Sequence, residues 1–364
     1  MLGLNFKKKY KVLHITNEIG NYVVGGMGTY INEMYMHRSE HIGFVHLYDE
    51  ARYPDIEISN YPGTNDILTL RHDEYKRIEE LDFEIIVIHF FELAFCITES
   101  LIQNKKIIYV IHSIPLPKPP PVNDPFGGHF DVRDKFEFLC NCANGIVCVS
   151  HADQERLGQL YPHFKSKTCV IHNGISLPNN ILQNENYTKS RNILGFLGRL
   201  DYRKGILECI KSLKNTTAEL RIACANNDPG YLNMLLDYIE AADMQTRVTF
   251  YGWCVGKRKE NLLKSLDALI IPSLYEPFGY VVVEAIKNGL PIITSNSGGI
   301  GEIIGDYKYQ FNPYKKDDMY HKILEFQNDA NDVIQKEQVY LNERIKQFTA
   351  EIMVDKYMKL YESL

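Results

Sequence analysis

Ser273-Leu-Tyr-Glu276-Pro-Phe-Gly279-Tyr-Val-Val-Val-Glu284-Ala-Ile-Lys-Asn-Gly289-Leu-Pro291 lies between two short apolar runs, Ala268-Leu-Ile-Ile271 and Pro291-Ile-Ile-Thr294. An apolar run, a Pro-Gly turn, a helical stretch and a second apolar run read as strand, loop, helix and parallel strand. Working outward, the same alternation recurs. In the second half the other runs are Ile193–Gly198, Glu219–Ala223 and Arg247–Tyr251. In the first half they are Tyr10–Thr16, Glu84–His89, Ile107–His112, Gly145–Ser150 and Thr168–His172. Near-continuous apolar strands separated by helix-period segments predict an α/β fold with parallel sheets covered on both faces.

The 364 residues suffice for two domains, and 45% hydrophobic content excludes global disorder. The polar, Asn-rich stretch 179–191 is read as a linker between an N-terminal domain, 1–178, and a C-terminal domain, 192–341. Residues 342–364 show helical periodicity at Ile345, Phe348, Ile352, Met353, Tyr357, Leu360 and Tyr361, predicting one amphipathic helix. A net charge of −6 without a basic stripe argues against a nucleic-acid partner. The most apolar segment, 83–97, contains Glu84, His89 and Glu92, so no membrane span is expected. Lys7, Lys8 and Lys9 precede an apolar run that stops at Asn17-Glu18, too short for a signal peptide. The eight cysteines mostly sit in strand-like contexts and read as reduced core thiols of a cytoplasmic protein. Peripheral contact with the inner face of a membrane stays open, although the three lysines make a weak anchor.

Several elements carry possible chemistry. Gly25-Gly26-Met-Gly28 opens a helix, where backbone N–H groups and the helix dipole favour an anion; a plain tight turn is an equal reading. Gly198-Arg199-Leu-Asp-Tyr-Arg203-Lys204-Gly205 follows a strand and sets cations where open α/β sheets bind ligands. Glu276 lies in the Pro-Gly turn and Glu284 in the helix after it; a carboxylate accepts two hydrogen bonds and suits paired sugar hydroxyls. His112 ends a strand, Asn173-Gly174-Ile175 is a turn suited to a hinge, and Ser297-Gly-Gly-Ile-Gly-Glu302 is a second glycine-rich turn with anion-binding character.

In this order these elements resemble the family 4 glycosyltransferases of GT-B architecture. The Glu-x7-Glu signature reads as Glu276 to Glu284, Arg199 and Lys204 match the family's Arg and Lys, and Gly-Gly-Met-Gly, Val149-Ser-His151 and Asn173-Gly-Ile175 match in kind and order. The resemblance covers about residues 10–305. It implies two facing Rossmann-like domains with an interdomain cleft, and a C-terminal helix crossing back to the N-domain. It implies donor binding by Arg199 and Lys204 (diphosphate), Glu284 (ribose), Glu276 and the backbone of Phe278, Gly279 and Tyr280 (sugar), and Gly25, Gly26 and Gly28 (phosphates). Glu276, His112, Arg199 and Lys204 would be catalytic, with His112 near the anomeric carbon.

The implied reaction is retaining hexosyl or N-acetylhexosaminyl transfer from a nucleotide sugar, UDP favoured over GDP, to a hydroxyl of a small-molecule, glycan or lipid-linked acceptor in carbohydrate biosynthesis. No Asp-x-Asp occurs in the chain, so neither a cofactor nor an essential metal is expected. The Pro-rich loop 115–130, with Phe126, His129 and Phe130, is the candidate acceptor contact. The family's Gly-rich turn after strand 219–223 is replaced by Cys224-Ala-Asn-Asn-Asp-Pro-Gly230, which leaves the nucleotide base open. Rival readings are a GT-B nucleotide-sugar epimerase and a non-catalytic sugar-nucleotide-binding protein. An NAD dehydrogenase would need a glycine fingerprint that is missing.

Overall fold

The computed structural model describes residues 11–20, 25–49, 67–115, 129–178, 191–225 and 228–364. The chain divides into two units: Met1–Ser176 with Thr349–Leu364, and Leu177–Phe348. The expected linker lies almost wholly outside the described residues.

The first unit is built on seven strands: β1 (Val12–Thr16), β2 (Ile42–Tyr48), β3 (Ile67–Arg71), β4 (Ile85–Ile88), β5 (Lys106–Ile111), β6 (Gly145–Cys148) and β7 (Thr168–Val170). All pairs are parallel, in the order β3-β2-β1-β4-β5-β6-β7. β1 and β4 are buried along their whole length, as both faces of a parallel sheet require. Alternation then divides β1. Leu13 and Ile15 enter a hydrophobic cluster with Val45, Ile86 and Tyr109, while His14 turns to the opposite face and stacks on Phe44, ring centroids 4.9 Å apart.

β2 and β3 escape the sequence pattern. Gly43 and His46 interrupt the apolar run of β2, and β3 is a short strand ending in Arg71, so burial rather than β-branched content defines them. The helix Ala350–Glu362 also belongs to this unit. It packs on the helix Gly26–His37 through Tyr30 and Tyr357, whose rings lie 6.1 Å apart. The single helix expected over 342–364 is therefore two. Asn331–Ile345 stays in the second unit, and a new helix starts at Thr349, whose hydroxyl accepts a hydrogen bond from Ile352 N at 3.3 Å.

The second unit contains β8 (Ile193–Arg199), β9 (Glu219–Ala225), β10 (Val248–Phe250), β11 (Ala268–Ile271), β12 (Ile292–Ser295) and β13 (Gln310–Phe311). They form a parallel sheet in the order β10-β9-β8-β11-β12-β13. In both units a strand order that runs outward from the first strand, then reverses, is the Rossmann arrangement. Among the described residues no helix is long and apolar enough to cross a membrane. All eight cysteines are free, and burial pushes the Cys96 thiol up to about 12, which keeps it protonated and inert.

Candidate functional site

β8 and β11 are neighbours where the strand order of the second sheet reverses, and ligands of open parallel sheets bind beyond strand ends at such a point. Two loops leave it. One runs from Arg199 through the short 3-10 turn Tyr202–Lys204; the other runs from Pro272 to Gly279. Leu274 N donates to Arg203 O at 2.8 Å, tying the loops together. Gly205 has φ +67°, and a Cβ there would lie 2.1 Å from Pro272 O, so only glycine permits this approach.

The loops bring Lys204 and Glu276 together. Lys204 Nζ donates to Glu276 Oε1, and Ser273 Oγ donates to the same oxygen at 3.0 Å. The side chains are 20% and 12% exposed, so the pair is shielded yet reachable. Among the described residues no further hydrogen bond engages Nζ or the second carboxylate oxygen. An ammonium has three donors and a carboxylate about four acceptor sites, which leaves the pair capacity for a ligand.

The backbone of Glu276 is fixed from behind. Gly299 N donates to Glu276 O at 2.9 Å, and Glu276 pairs with Gly298 in an isolated parallel bridge. A Cβ on Gly298 (φ +67°) would lie 2.2 Å from Glu276 O, and one on Gly299 would lie 2.3 Å from Pro277 O. The turn 297–302, read from the sequence as having anion-binding character, thus has its Gly299 N–H already engaged by Glu276 O. Its glycines let two backbones touch, and the helix they open, Gly299–Ile304, is only six residues long.

Of the three cations near the end of β8, one is committed. Arg203 Nε donates to both Asp201 oxygens, at 3.0 and 3.1 Å. Burial pushes the Asp201 carboxyl up, but the Arg203 hydrogen bonds outweigh it and hold the acid below its ordinary range. Arg203 therefore shapes its own turn. Arg199, the last residue of β8, is exposed and makes no ion pair among the described residues.

Gly279 (φ +106°) starts the helix Tyr280–Lys287, and a Cβ on it would lie 2.8 Å from Ile300 Cγ1. Phe278 is buried against Tyr280 and Phe348, ring centroids 5.2 and 6.0 Å away, so only its backbone is available to a ligand. Glu284, on that helix, pairs with Lys259 Nζ at 2.7 Å. Lys259 escaped the sequence reading because it sits within the basic run Lys257-Arg-Lys259, which looks like a solvated helix face. After β9, residues 226–227 lie outside the described set, and Asp228 caps the next helix by accepting from Tyr231 N at 2.9 Å.

In the first unit, Gly25 precedes the helix Gly26–His37 in extended conformation, and a Cβ there would meet nothing within 4 Å. Gly26 is exposed, whereas Gly28 N donates to Glu18 Oε2 at 3.1 Å. A carboxylate of the chain thus already answers one N–H of this helix start, which narrows the anion reading to Gly25 and Gly26. Ser150 of the Val-Ser-His element caps the helix His151–Leu160 through Asp153 N at 3.0 Å. A Cβ on Gly174 would lie 2.4 Å from Thr349 O, and Ile175 bridges to Thr349, so the Asn-Gly-Ile element seats the start of the last helix.

His112 follows β5 directly. Its ring is half-buried, 4.9 Å from Tyr30 and 5.8 Å from His89, and burial pushes it down to about 3, so it is neutral at neutral pH. Phe126 lies outside the described residues. His129 and Phe130 open the helix His129–Cys142.

Two Rossmann-like units, with a charged cluster at the reversal point of the second, define the GT-B class. The model described as "Glycosyltransferase Family 4" matches residues 24–178, and "Glycosyl transferases group 1" matches residues 179–348. The chain belongs to the family 4 glycosyltransferases. An uncharacterised glycosyltransferase of Methanocaldococcus jannaschii is 32% identical over 188 residues, covering 46% of this chain and 47% of that protein. The chain thus matches about half the length of this relative. A second one from the same organism is 24% identical over 94% of this chain and 95% of its own. Among solved structures, Anabaena HepE in complex with UDP and glucose superposes with a TM-score of 0.75 at 17% identity, covering 98% and 100% of the two chains. Sucrose-phosphate synthase from Thermosynechococcus elongatus gives 0.73 at 14% identity, covering 98% and 99%.

Proposed function

We propose that this chain is a retaining, metal-independent glycosyltransferase that moves a hexosyl or N-acetylhexosaminyl group from a UDP-sugar to an acceptor hydroxyl. The observation that carries this reading is the Lys204–Glu276 pair, held by two interlocked loops at the reversal point of the second sheet. In this reading Lys204 and Arg199 hold the diphosphate, Glu284 the ribose hydroxyls, and Glu276 with the backbone of 278–280 the donor sugar. Gly25 and Gly26 supply further N–H donors to phosphate. His112, being neutral, serves the sugar as a hydrogen-bonding group rather than as an acid.

The acceptor oxygen bonds to the anomeric carbon as the bond from that carbon to the diphosphate oxygen breaks on the same face. The acceptor proton passes to the leaving diphosphate oxygen. Negative charge grows on that leaving group in the transition state, and the preformed Lys204 ammonium and Arg199 guanidinium stabilise it there. The HepE structures hold UDP, UDP with glucose, or UDP-glucose, which supports uridine as the base.

The test is a panel of UDP- and GDP-sugars incubated without acceptor, with and without EDTA. Slow release of UDP that persists in EDTA is expected. Release from GDP-sugars alone would overturn the base assignment, and loss of activity in EDTA would overturn metal independence. Sugar interconversion without nucleotide release would favour an epimerase.

A further inference from the structure

Three adjacent strands of the first sheet each deliver a histidine to one cluster: His14 within β1, His89 directly after β4 and His112 directly after β5. His14 Nδ1 lies 2.9 Å from His89 Nε2, and His14 Nε2 lies 2.9 Å from the Tyr361 hydroxyl. A neutral imidazole carries one donor and one acceptor, so the chain Tyr361–His14–His89 has two consistent proton arrangements. In one, Tyr361 donates to His14, His14 donates through Nδ1 to His89 Nε2, and His89 Nδ1 bears a proton. In the other every bond is reversed, and His89 Nδ1 is a bare acceptor.

The chain does not end in water. His89 is 1% exposed, and its Nδ1 is buried without a partner; His112 Nε2 is likewise buried and unpartnered. The two rings are 5.8 Å apart and both pack on Tyr30, at 5.2 and 4.9 Å. Two unsatisfied buried polar atoms on neighbouring rings are uncommon in a native interior and call for a partner. We propose that His89 is a positioning residue for His112, acting through one water molecule that bridges His89 Nδ1 and His112 Nε2. With the water accepting from one ring nitrogen and donating to the other, the tautomer of His112 follows that of His89, which Tyr361 sets from the last helix. The tautomer decides whether His112 Nδ1 offers the substrate a donor or an acceptor. Burial holds all three imidazoles neutral, His14 down to about 3.

This inference rests on the reading that His112 serves the reacting sugar, and its first test needs no sugar nucleotide. The full chain labelled with 15N-histidine reports imidazole tautomers by NMR, and the His112 resonances are assigned by their loss in His112→Gln. A Gln side chain reproduces Nε2 of histidine, and an Asn side chain reproduces Nδ1. His89→Gln keeps the bond to His14 and loses the link to His112, so His112 is expected to become a tautomer mixture. His89→Asn keeps a group at Nδ1 but loses the bond to His14, so in that background Tyr361→Phe is expected to leave the His112 resonances where they are. In the native background Tyr361→Phe, which retains the ring and its packing, is expected to shift His112 as well.

A merely structural role for His89 predicts unchanged His112 resonances in His89→Gln and Tyr361→Phe, and that result would overturn the proposal. In turnover of whichever sugar nucleotide the panel identifies, His89→Gln is expected to lower kcat about tenfold while KM stays within about twofold. A wild type that turns over no sugar nucleotide sinks the functional reading, while the spectra still decide whether the histidines are coupled.

Discussion

Beyond β8 and β11 the polar side chains are ions, whereas beyond β4 and β5 they are neutral rings. Lys204 and Glu276 keep partial access to solvent and spare hydrogen-bonding capacity, so the second unit can exchange an internal ion pair for contacts with a charged ligand. Burial keeps the histidines of the first unit unprotonated and its tyrosines protonated, so both kinds of ring are neutral and any hydrogen bond they offer carries no charge. In the proposed reaction this difference would assign charge stabilisation to one unit and hydrogen-bond alignment to the other.

The comparison breaks most readily at Lys204. Lys204→Ala removes the preformed cation, and a loss of about 10²–10³ in kcat is expected with an unchanged circular-dichroism spectrum. Near-normal turnover would show that the ion pair is only structural. Gly298→Ala tests the scaffold behind Glu276. The added Cβ must enter the 2.2 Å gap to Glu276 O at a backbone φ of +67°, so a destabilisation of about 2–4 kcal/mol by urea titration is expected. An unperturbed variant would mean that the two backbones part easily. Glu284→Ala should weaken UDP binding by about tenfold in calorimetry, the worth of one charge-assisted hydrogen bond, with kcat changed less than in Lys204→Ala.

The smallest effect near neutral pH concerns the neutral cluster. His14 and His112 sit at about 3 and His46 at about 4 in the folded chain, against 6.5 when unfolded. Between those values the unfolded chain binds more protons, so stability is full above about 6.5 and falls as pH drops toward 3–4. His14 alone should contribute a slope of about 1.4 kcal/mol per pH unit in that window. A melting temperature that does not move between pH 7 and pH 5 would contradict neutral burial.

The signature loops were legible because their glycines, charges and flanking strands occur in one fixed order. Arg199, Lys204, Glu276 and Glu284 could be singled out by their motifs and given expected roles by the family resemblance, and β11 and β12 were bounded to within a residue. Partners brought in from distant sequence were not legible. Glu18 and Lys259 sit in polar surroundings that a sequence cannot distinguish from solvated surface, and Ser273 looks like any residue of a turn. The two-residue β13 is too short to show a period. His14 and His89 were read as strand residues and nothing more, because their meeting depends on strand order, which reverses between β1 and β4. Arg203 was overvalued for a related reason: charge counting does not show which cation its own neighbour Asp201 claims.

Thr349, bridged to Ile175, has a bearing on how the molecule is made. The entire second unit, Leu177–Phe348, is inserted between two positions that touch in the first. On the ribosome, residues up to Ser176 emerge well before Ala350–Glu362, and until then the face bearing Tyr30 and His14 lacks Tyr357 and Tyr361. The first domain to be synthesised is thus the last to be completed, and its apolar and imidazole face is the surface that a nascent chain must keep from aggregating.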